Sequence, residues 1–310
     1  MKELVDILRA WEQHRGEPFA LATLVHARGS SYRRPGARML ICADGTTVGS
    51  LSGGCLEEEV AVAARDVTRT GRATLLSFDT RLRFGCNGAI DVLVEPVDEH
   101  FFEQLSRCFG ERRSARAATA FTGENMGTRF LDRNEAPPQD GFVQEIEPPV
   151  RLIVFGDGPD SAPLRVFADT LGWPFIEAEQ ASELPTAMDD RTAAVIKSHN
   201  YGRDFAALRH LLRLNLRYVG LLGPRRRRDQ LLHALLDDGV EIDAELFAPA
   251  GLDVGAETPE EIALAIVAEI QKVFADATGT SLRDRKVPIH GWNIAPRALQ
   301  TLKACELSPR

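Results

Sequence analysis

Apolar positions near the start of the chain recur at helical spacing. Leu4, Ile7, Leu8 and Trp11 fall at i, i+3, i+4 and i+7, one stripe of an amphipathic helix that Gly16 and Pro18 bring to an end. The pattern then changes to β. Phe19 to Ala27 is an apolar run, Arg28 to Gly36 is rich in turn residues, and Met39-Leu40-Ile41-Cys42 and Thr46-Thr47-Val48 flank Asp44-Gly45. Asp-Gly between two such runs predicts a hairpin, because a type I′ turn wants positive φ at both central residues. Next, Ser50-Leu51-Ser52-Gly53-Gly54-Cys55 opens onto the helix-forming run from Leu56 toward Gly71. Residues 73–79 and 89–97 read as strands on either side of a second glycine turn, Gly85-Cys86-Asn87-Gly88. Residues 98–109 have a helical pattern, and 110–148 mix short β-like stretches with polar, proline-bearing segments.

Beyond Pro148-Pro149 the periodicity is of another kind. Arg151-Leu152-Ile153-Val154-Phe155 is a short continuous apolar run, as in a strand buried on both faces, and glycines and a helix follow at once. Strand patterns at 193–197 and 216–222 then alternate with helical ones at 205–214, 225–238 and 259–275. Such alternation predicts a doubly wound parallel sheet. The expected fold class is α/β: a β-rich α/β domain over residues 1–148, a Rossmann-like domain over 149–275, and an irregular extension over 276–310.

Composition narrows the function classes. A chain of 310 residues suits two domains, and 44% hydrophobic with 26% charged residues is ordinary for globular protein. The net charge of −8 opposes a phosphate-driven grip on nucleic acid. No apolar run reaches the roughly 18 residues a membrane span needs, and Met1 to Asp6 carries charges where a secretion signal is apolar. A cytoplasmic protein with no nucleic-acid and no membrane partner is expected. Cys42, Cys55, Cys86, Cys108 and Cys305 form neither a CxxC pair nor a disulfide framework.

Candidate chemistry gathers at turns. Gly156-Asp157-Gly158-Pro159-Asp160-Ser161 lies between a strand and a helix, where Gly156 allows a tight turn and Gly158 lets a phosphate approach the backbone. Against this, Asp157 and Asp160 add negative charge and Pro159 has no N–H to donate, so a purely structural turn is the alternative. Glu179, with Glu177 as the alternative, stands at the end of the Phe175-Ile176 strand where an acid would bind a ribose. Gly223, Arg225 and Arg226 follow another strand, and guanidinium forks suit phosphate oxygens; Arg227 and Arg228 read as a solvated helix face. His199 also falls at the carboxyl edge of the sheet, as a ligand contact or a structural residue. In the first domain, Ser52, Gly53, Gly54 and Cys55 end at a helix start, a setting that binds anions and lowers a thiol pKa. Cys55 reads as a soft ligand, a nucleophile or a small packed hydrophobe. The bare turn of Gly85, Cys86, Asn87 and Gly88 places a second thiol in a similar setting.

Gly36-Ala37-Arg38-Met39-Leu40, Ser52 to Glu57, Gly85 to Gly88 with Val92 to Pro96, Arg151 to Gly156, Tyr218 to Gly223 and Gly251 to Ala263 together resemble the XdhC/CoxI family of xanthine dehydrogenase accessory proteins, in family order, over about residues 5 to 275. The resemblance implies a non-enzymatic chaperone that binds molybdenum cofactor, shields it during sulfuration and delivers it to the large subunit of a xanthine dehydrogenase-type hydroxylase. It further implies a cysteine desulfurase as a second partner and a homodimer. Molybdopterin is a phosphate ester with a dithiolene-bound soft metal, so the glycine turns and arginines named above suit its phosphate, and Cys55 and Cys86 suit the metal. This chain departs from the family pattern at Asp157, Pro159 and Asp160, in a turn that is usually Gly-Ala-Gly-His-Val. Glu179 also stands where aspartate is usual, and Pro224 where serine is usual. The alternative is an NAD(P)-dependent oxidoreductase working on the Gly156 turn.

Overall fold

The computed structural model describes residues 1–29, 31–54, 56–79, 88–132, 134–186, 188–242 and 245–286. By their contacts the described residues divide into two compact units. One holds residues 6–107 and 114–146 with 280–286; the other holds 1–5, 108–113 and 147–279.

The first unit is built on a five-stranded antiparallel sheet of β1 (Ala20–Gly29), β2 (Arg38–Ile41), β3 (Thr47–Gly49), β4 (Thr74–Asp79) and β5 (Gly88–Pro96), in the order β3-β2-β1-β5-β4. Strand alternation sends Ala22, Leu24, Met39, Val92 and Val94 to one face. Helix α2 (Glu57–Thr70), which follows the amphipathic α1 (Lys2–Gln13) in chain order, lays Val60, Ala64 and Val67 on that face. Each such large aliphatic side chain contributes about 1.5–3 kcal/mol when fully buried. The other sheet face carries polar groups, also buried: Thr23, Arg38 and Glu95. A three-stranded sheet of β6 (Ala115–Ala120), β7 (Gly127–Leu131) and β8 (Gly141–Ile146) supplies partners for Arg38 and Glu95. Glu95 accepts hydrogen bonds from Thr128 N and Oγ1, both at 2.6 Å, and Arg38 Nη1 donates to Gln144 Oε1 at 2.6 Å. Burial pushes the Glu95 carboxyl upward, and the two bonds from Thr128 work against that push.

The Asp44-Gly45 hairpin is present between β2 and β3, with different turn geometry from the expectation. Only Gly45 has positive φ, +89°. Asp44 instead accepts hydrogen bonds at Oδ1 from Thr46 N at 2.8 Å and Thr46 Oγ1 at 2.7 Å. An aspartate side chain that bonds its own backbone two residues on makes a turn without left-handed geometry at its own position.

The second unit is the expected parallel sheet. Strands β9 (Arg151–Phe155), β10 (Phe175–Ala178), β11 (Thr192–Ile196), β12 (Tyr218–Leu221) and β13 (Leu246–Phe247) lie in the order β10-β9-β11-β12-β13, all parallel. Following α3 (Glu99–Gly110) in the chain, α4 (Ser161–Leu171) and α7 (Pro259–Phe274) cover the face of Leu152, Val154, Ala193 and Val195. Helices α5 (Tyr201–Leu211) and α6 (Arg225–Asp237) cover the face of Ile153, Phe155, Ala194 and Ile196. Burial on both faces is why these strands are continuous apolar runs rather than alternating ones.

The Gly251 to Ala263 segment starts α7. Thr258 Oγ1 accepts from Glu261 N, and the Glu261 carboxylate accepts from Thr258 N, a reciprocal cap completed by Pro259 in the first turn. Below the sheet, Arg112 forks onto Asp189 with two 2.8 Å bonds and also donates to Pro149 O at 2.7 Å. Burial alone would raise the Asp189 carboxyl; the Arg112 fork and Arg151 at 3.2 Å outweigh it and hold the group below its ordinary value.

Candidate functional site

The strand order of the second unit reverses between β9 and β11, and open parallel sheets bind ligands at the carboxyl ends of such a pair. Gly156 leaves β9 with φ +120°. A Cβ there would stand 2.7 Å from the backbone N and Cα of Ser198, so the glycine is required by the loop that follows β11. Gly158, at φ +115°, faces a pair of charges: a Cβ on it would lie 3.0 Å from Asp160 Oδ1 and 3.8 Å from Lys197 Nζ. Lys197, the residue after β11, is fully buried along its side chain and donates to Asp160 Oδ1 and to Asp157 O, both at 2.8 Å. Asp160 is the N-cap residue of α4, yet its side chain caps no helix amide.

His199 has φ +54° and a mostly exposed ring, with Nε2 3.8 Å from Asp160 Oδ2. Glu179 is exposed past the end of β10, and its backbone carbonyl accepts from Arg203 Nη2 at 2.7 Å and Nε at 3.1 Å. The same guanidinium reaches Asp157 Oδ1 at 3.3 Å, so Arg203 bridges the loops after β9 and β10. The structure thus brings Gly156, Gly158 and His199 together around Asp160, and ties Glu179 to them through its main chain.

Gly223, at φ +135°, and Pro224 lead into α6, whose start has no side-chain cap. Arg225 and Arg226 are exposed in the first turn and make no side-chain hydrogen bond or ion pair among the described residues. Arg227 and Arg228 are not the solvated face expected of them. Arg227 Nε and Nη2 contact Asp204 Oδ2 at 3.1 and 2.6 Å, Asp204 is fully buried, and its other oxygen accepts from Ser198 Oγ. Arg228 donates to Ala248 O at 3.1 Å and to Asp229 Oδ1 at 2.8 Å.

In the first unit, Ser52, Gly53 and Gly54 form the loop before α2, with Gly54 at φ +102° and open space where a Cβ would be. Cys55, Gly85, Cys86 and Asn87 lie outside the described residues; Gly88 begins β5 opposite Gly29. The loop's amides are not bare. Glu57 turns back on it: Oε1 accepts from Ser50 Oγ at 3.0 Å, Leu51 N at 3.2 Å and Ser52 N at 2.8 Å, while Oε2 accepts from Ser52 Oγ at 2.7 Å and Leu56 N at 3.0 Å. Partial burial alone would raise this carboxyl, but the bonds from Ser52 Oγ, Ser52 N and Leu56 N, with one from its own amide, outweigh it and push it down to about 2. The folded value lies below the unfolded one. Its stabilisation is therefore present above about pH 4.5 and is lost as the pH falls toward 2. Glu57→Gln is expected to cost about 1–2 kcal/mol at pH 7, allowing for water that reaches the carboxylate, and the gap from the parent protein should close in urea melts near pH 2. A gap that persists unchanged at low pH would mean that the ionised carboxylate is not the group holding the loop.

Sequence patterns do not single out Lys197, Arg203, Asp204 or Glu57. A lysine ending an apolar strand and a glutamate in the first turn after a glycine loop are the available signals. Among the described residues no three His, Cys, Asp or Glu side chains converge as a metal site would, and no helix is long and apolar enough to cross a membrane.

The chain matches the family model described as the XdhC and CoxI family over residues 12–79, and that of the XdhC Rossmann domain over residues 152–270. A Bacillus subtilis protein named as a probable xanthine dehydrogenase subunit is 33% identical, over 82% of this chain and 92% of that protein. The molybdenum cofactor insertion chaperone PaoD of Escherichia coli is 26% identical over 83% of this chain and 84% of its own. A Bacillus halodurans crystal structure described as a xanthine dehydrogenase superposes with a TM-score of 0.74 at 28% identity, over 91% of this chain and 98% of the other. Two family models in chain order and a relative one third identical over nearly its whole length establish that this chain belongs to the XdhC and CoxI family.

Proposed function

We propose that the chain is a non-enzymatic carrier that binds molybdenum cofactor in the cytoplasm and delivers it to the large subunit of a xanthine dehydrogenase-type hydroxylase. The observation that carries this reading is the relative named as a molybdenum cofactor insertion chaperone, which the chain matches over 84% of that protein's length. The chemistry of the described residues supports it for the phosphate of the cargo. Arg225 and Arg226 extend from an uncapped helix start beside Gly223, and two guanidinium groups with unused amides suit a phosphate ester. Cys55 and Cys86 are the thiols assigned to the soft metal. A cysteine desulfurase acting on the held cofactor and a second copy of this chain are the further partners of this reading.

The test is retention of cargo. Protein purified from a molybdopterin-producing host should release a fluorescent pterin on acid oxidation, and the Arg225→Ala/Arg226→Ala double variant should retain about tenfold less. Cys55→Ser should lower retention more than Cys42→Ser does. Folded parent protein that carries no pterin, even after reconstitution, overturns the carrier reading, and equal effects of the two cysteine variants remove Cys55 from the site. The alternative, an NAD(P)-dependent oxidoreductase, fits this chain poorly: the Gly156 turn carries two carboxylates, Pro159 offers no N–H, and Lys197 is already held by Asp160. Saturable nicotinamide binding in calorimetry is what that reading would need.

A further inference from the structure

The Gly156 to Ser161 turn has the parts of a phosphate site, with the Asp160 carboxylate held on its buried cation. Lys197 Nζ is a fully buried ammonium pointed into the turn. Gly158 leaves a cradle that a Cβ would fill, bounded by Asp160 Oδ1 and Lys197 Nζ. Ser161 is 5% exposed, and its Oγ, in the first turn of α4, has no hydrogen-bond partner among the described residues. Asp160 sits at the N-cap, where aspartate ordinarily accepts from helix amides, and accepts from Lys197 instead. Its side chain is about a quarter exposed while the lysine is not exposed at all, so the anion can leave and the cation cannot. His199 and Arg203 add donors beside the two aspartates.

We propose that Asp160 is an internal stand-in for a ligand phosphate: the turn is a phosphate site built on Lys197, which the chain keeps filled with its own carboxylate, so that nucleotides and other phosphorylated ligands are excluded while Asp160 remains there. The inference does not rest on the molybdenum reading, because it concerns this turn alone and its probes contain no pterin. It also accounts for the Asp160 carboxylate in a Rossmann-type turn.

The experiment is calorimetric titration of the full chain with inorganic pyrophosphate and with ADP. Asp160→Asn keeps the shape and removes the charge, and Asp160→Ser keeps a good N-cap should the amide variant fold poorly. Either variant is expected to bind both probes at least about tenfold more tightly than the parent protein, as a charge-assisted bond to Lys197 becomes available. Adding Lys197→Met should abolish the gain. In thermal melts, pyrophosphate but not sodium chloride of equal ionic strength should raise the Tm of the Asp160 variants. No gain in either variant, a gain that survives Lys197→Met, or a gain for ADP without one for pyrophosphate would each overturn the proposal.

Discussion

Asp204→Ala is expected to lower the unfolding free energy by about 4 kcal/mol, because it leaves the half-buried Arg227 guanidinium without its anion inside the protein. Asp204 is fully buried at the start of α5, where a negative charge also meets the positive end of the helix dipole. It holds Arg227 of α6 through two bonds to one oxygen and Ser198 through the other. Ser198 begins the turn that carries His199 in its left-handed conformation, and Asn200 then caps α5 by accepting from Arg203 N at 3.0 Å. Losing the carboxylate therefore removes an ion pair and loosens the loop after β11. Urea denaturation monitored by circular dichroism checks the size of the effect. The exposed Arg209–Asp238 pair, at 2.9 Å, is the internal control, and Asp238→Ala should cost less than about 1 kcal/mol. Similar costs for the two variants would mean that Asp204 is not an anchor.

Gly156→Ala should be comparably damaging, at about 4 kcal/mol, and it separates two accounts of the same glycine. Its φ of +120° is unfavourable for any residue with a Cβ, and the added atom would press on Ser198 N and Cα at 2.7 Å and on the Lys197 carbonyl carbon at 2.8 Å. Those are backbone atoms of a buried strand end and cannot turn aside as a side chain would. If the glycine serves only the approach of a ligand, the variant should melt with the parent protein and lose binding alone. A large loss of stability with no ligand present shows that the first demand on Gly156 comes from β11. Gly54→Ala, at φ +102° but with open space around the site, should show the backbone penalty without the clash.

These two expectations change the meaning of the glycine turns. Bare amides and cations at helix starts are the features that point to anion binding, yet at two of the starts the chain's own acids take one or the other. Glu57 takes the amides of Leu51, Ser52 and Leu56, and Asp160 takes the ammonium of Lys197. The start of α6, with Arg225 and Arg226, has no such occupant. A turn of small residues is equally suited to an external anion and to an internal one, and which arrives first depends on side chains that a motif leaves unspecified.

The layer architecture is legible in the apolar pattern. Runs such as Leu152 to Phe155 and Ala193 to Ile196 demand burial on both faces, and the alternating helical stripes can supply it only from the two sides of a parallel sheet. Glu57 is legible in principle too, since its donors begin one residue away and end seven away. Charge pairing is a different matter and emerges only on folding. Lys197 meets Asp160 across 37 positions, Arg203 meets the Glu179 carbonyl across 24, and Arg227 meets Asp204 across 23. Each partner sits at the end of a different strand or at a helix start. Strand order within the sheet, which intervals along the chain do not encode, is what sets those ends side by side.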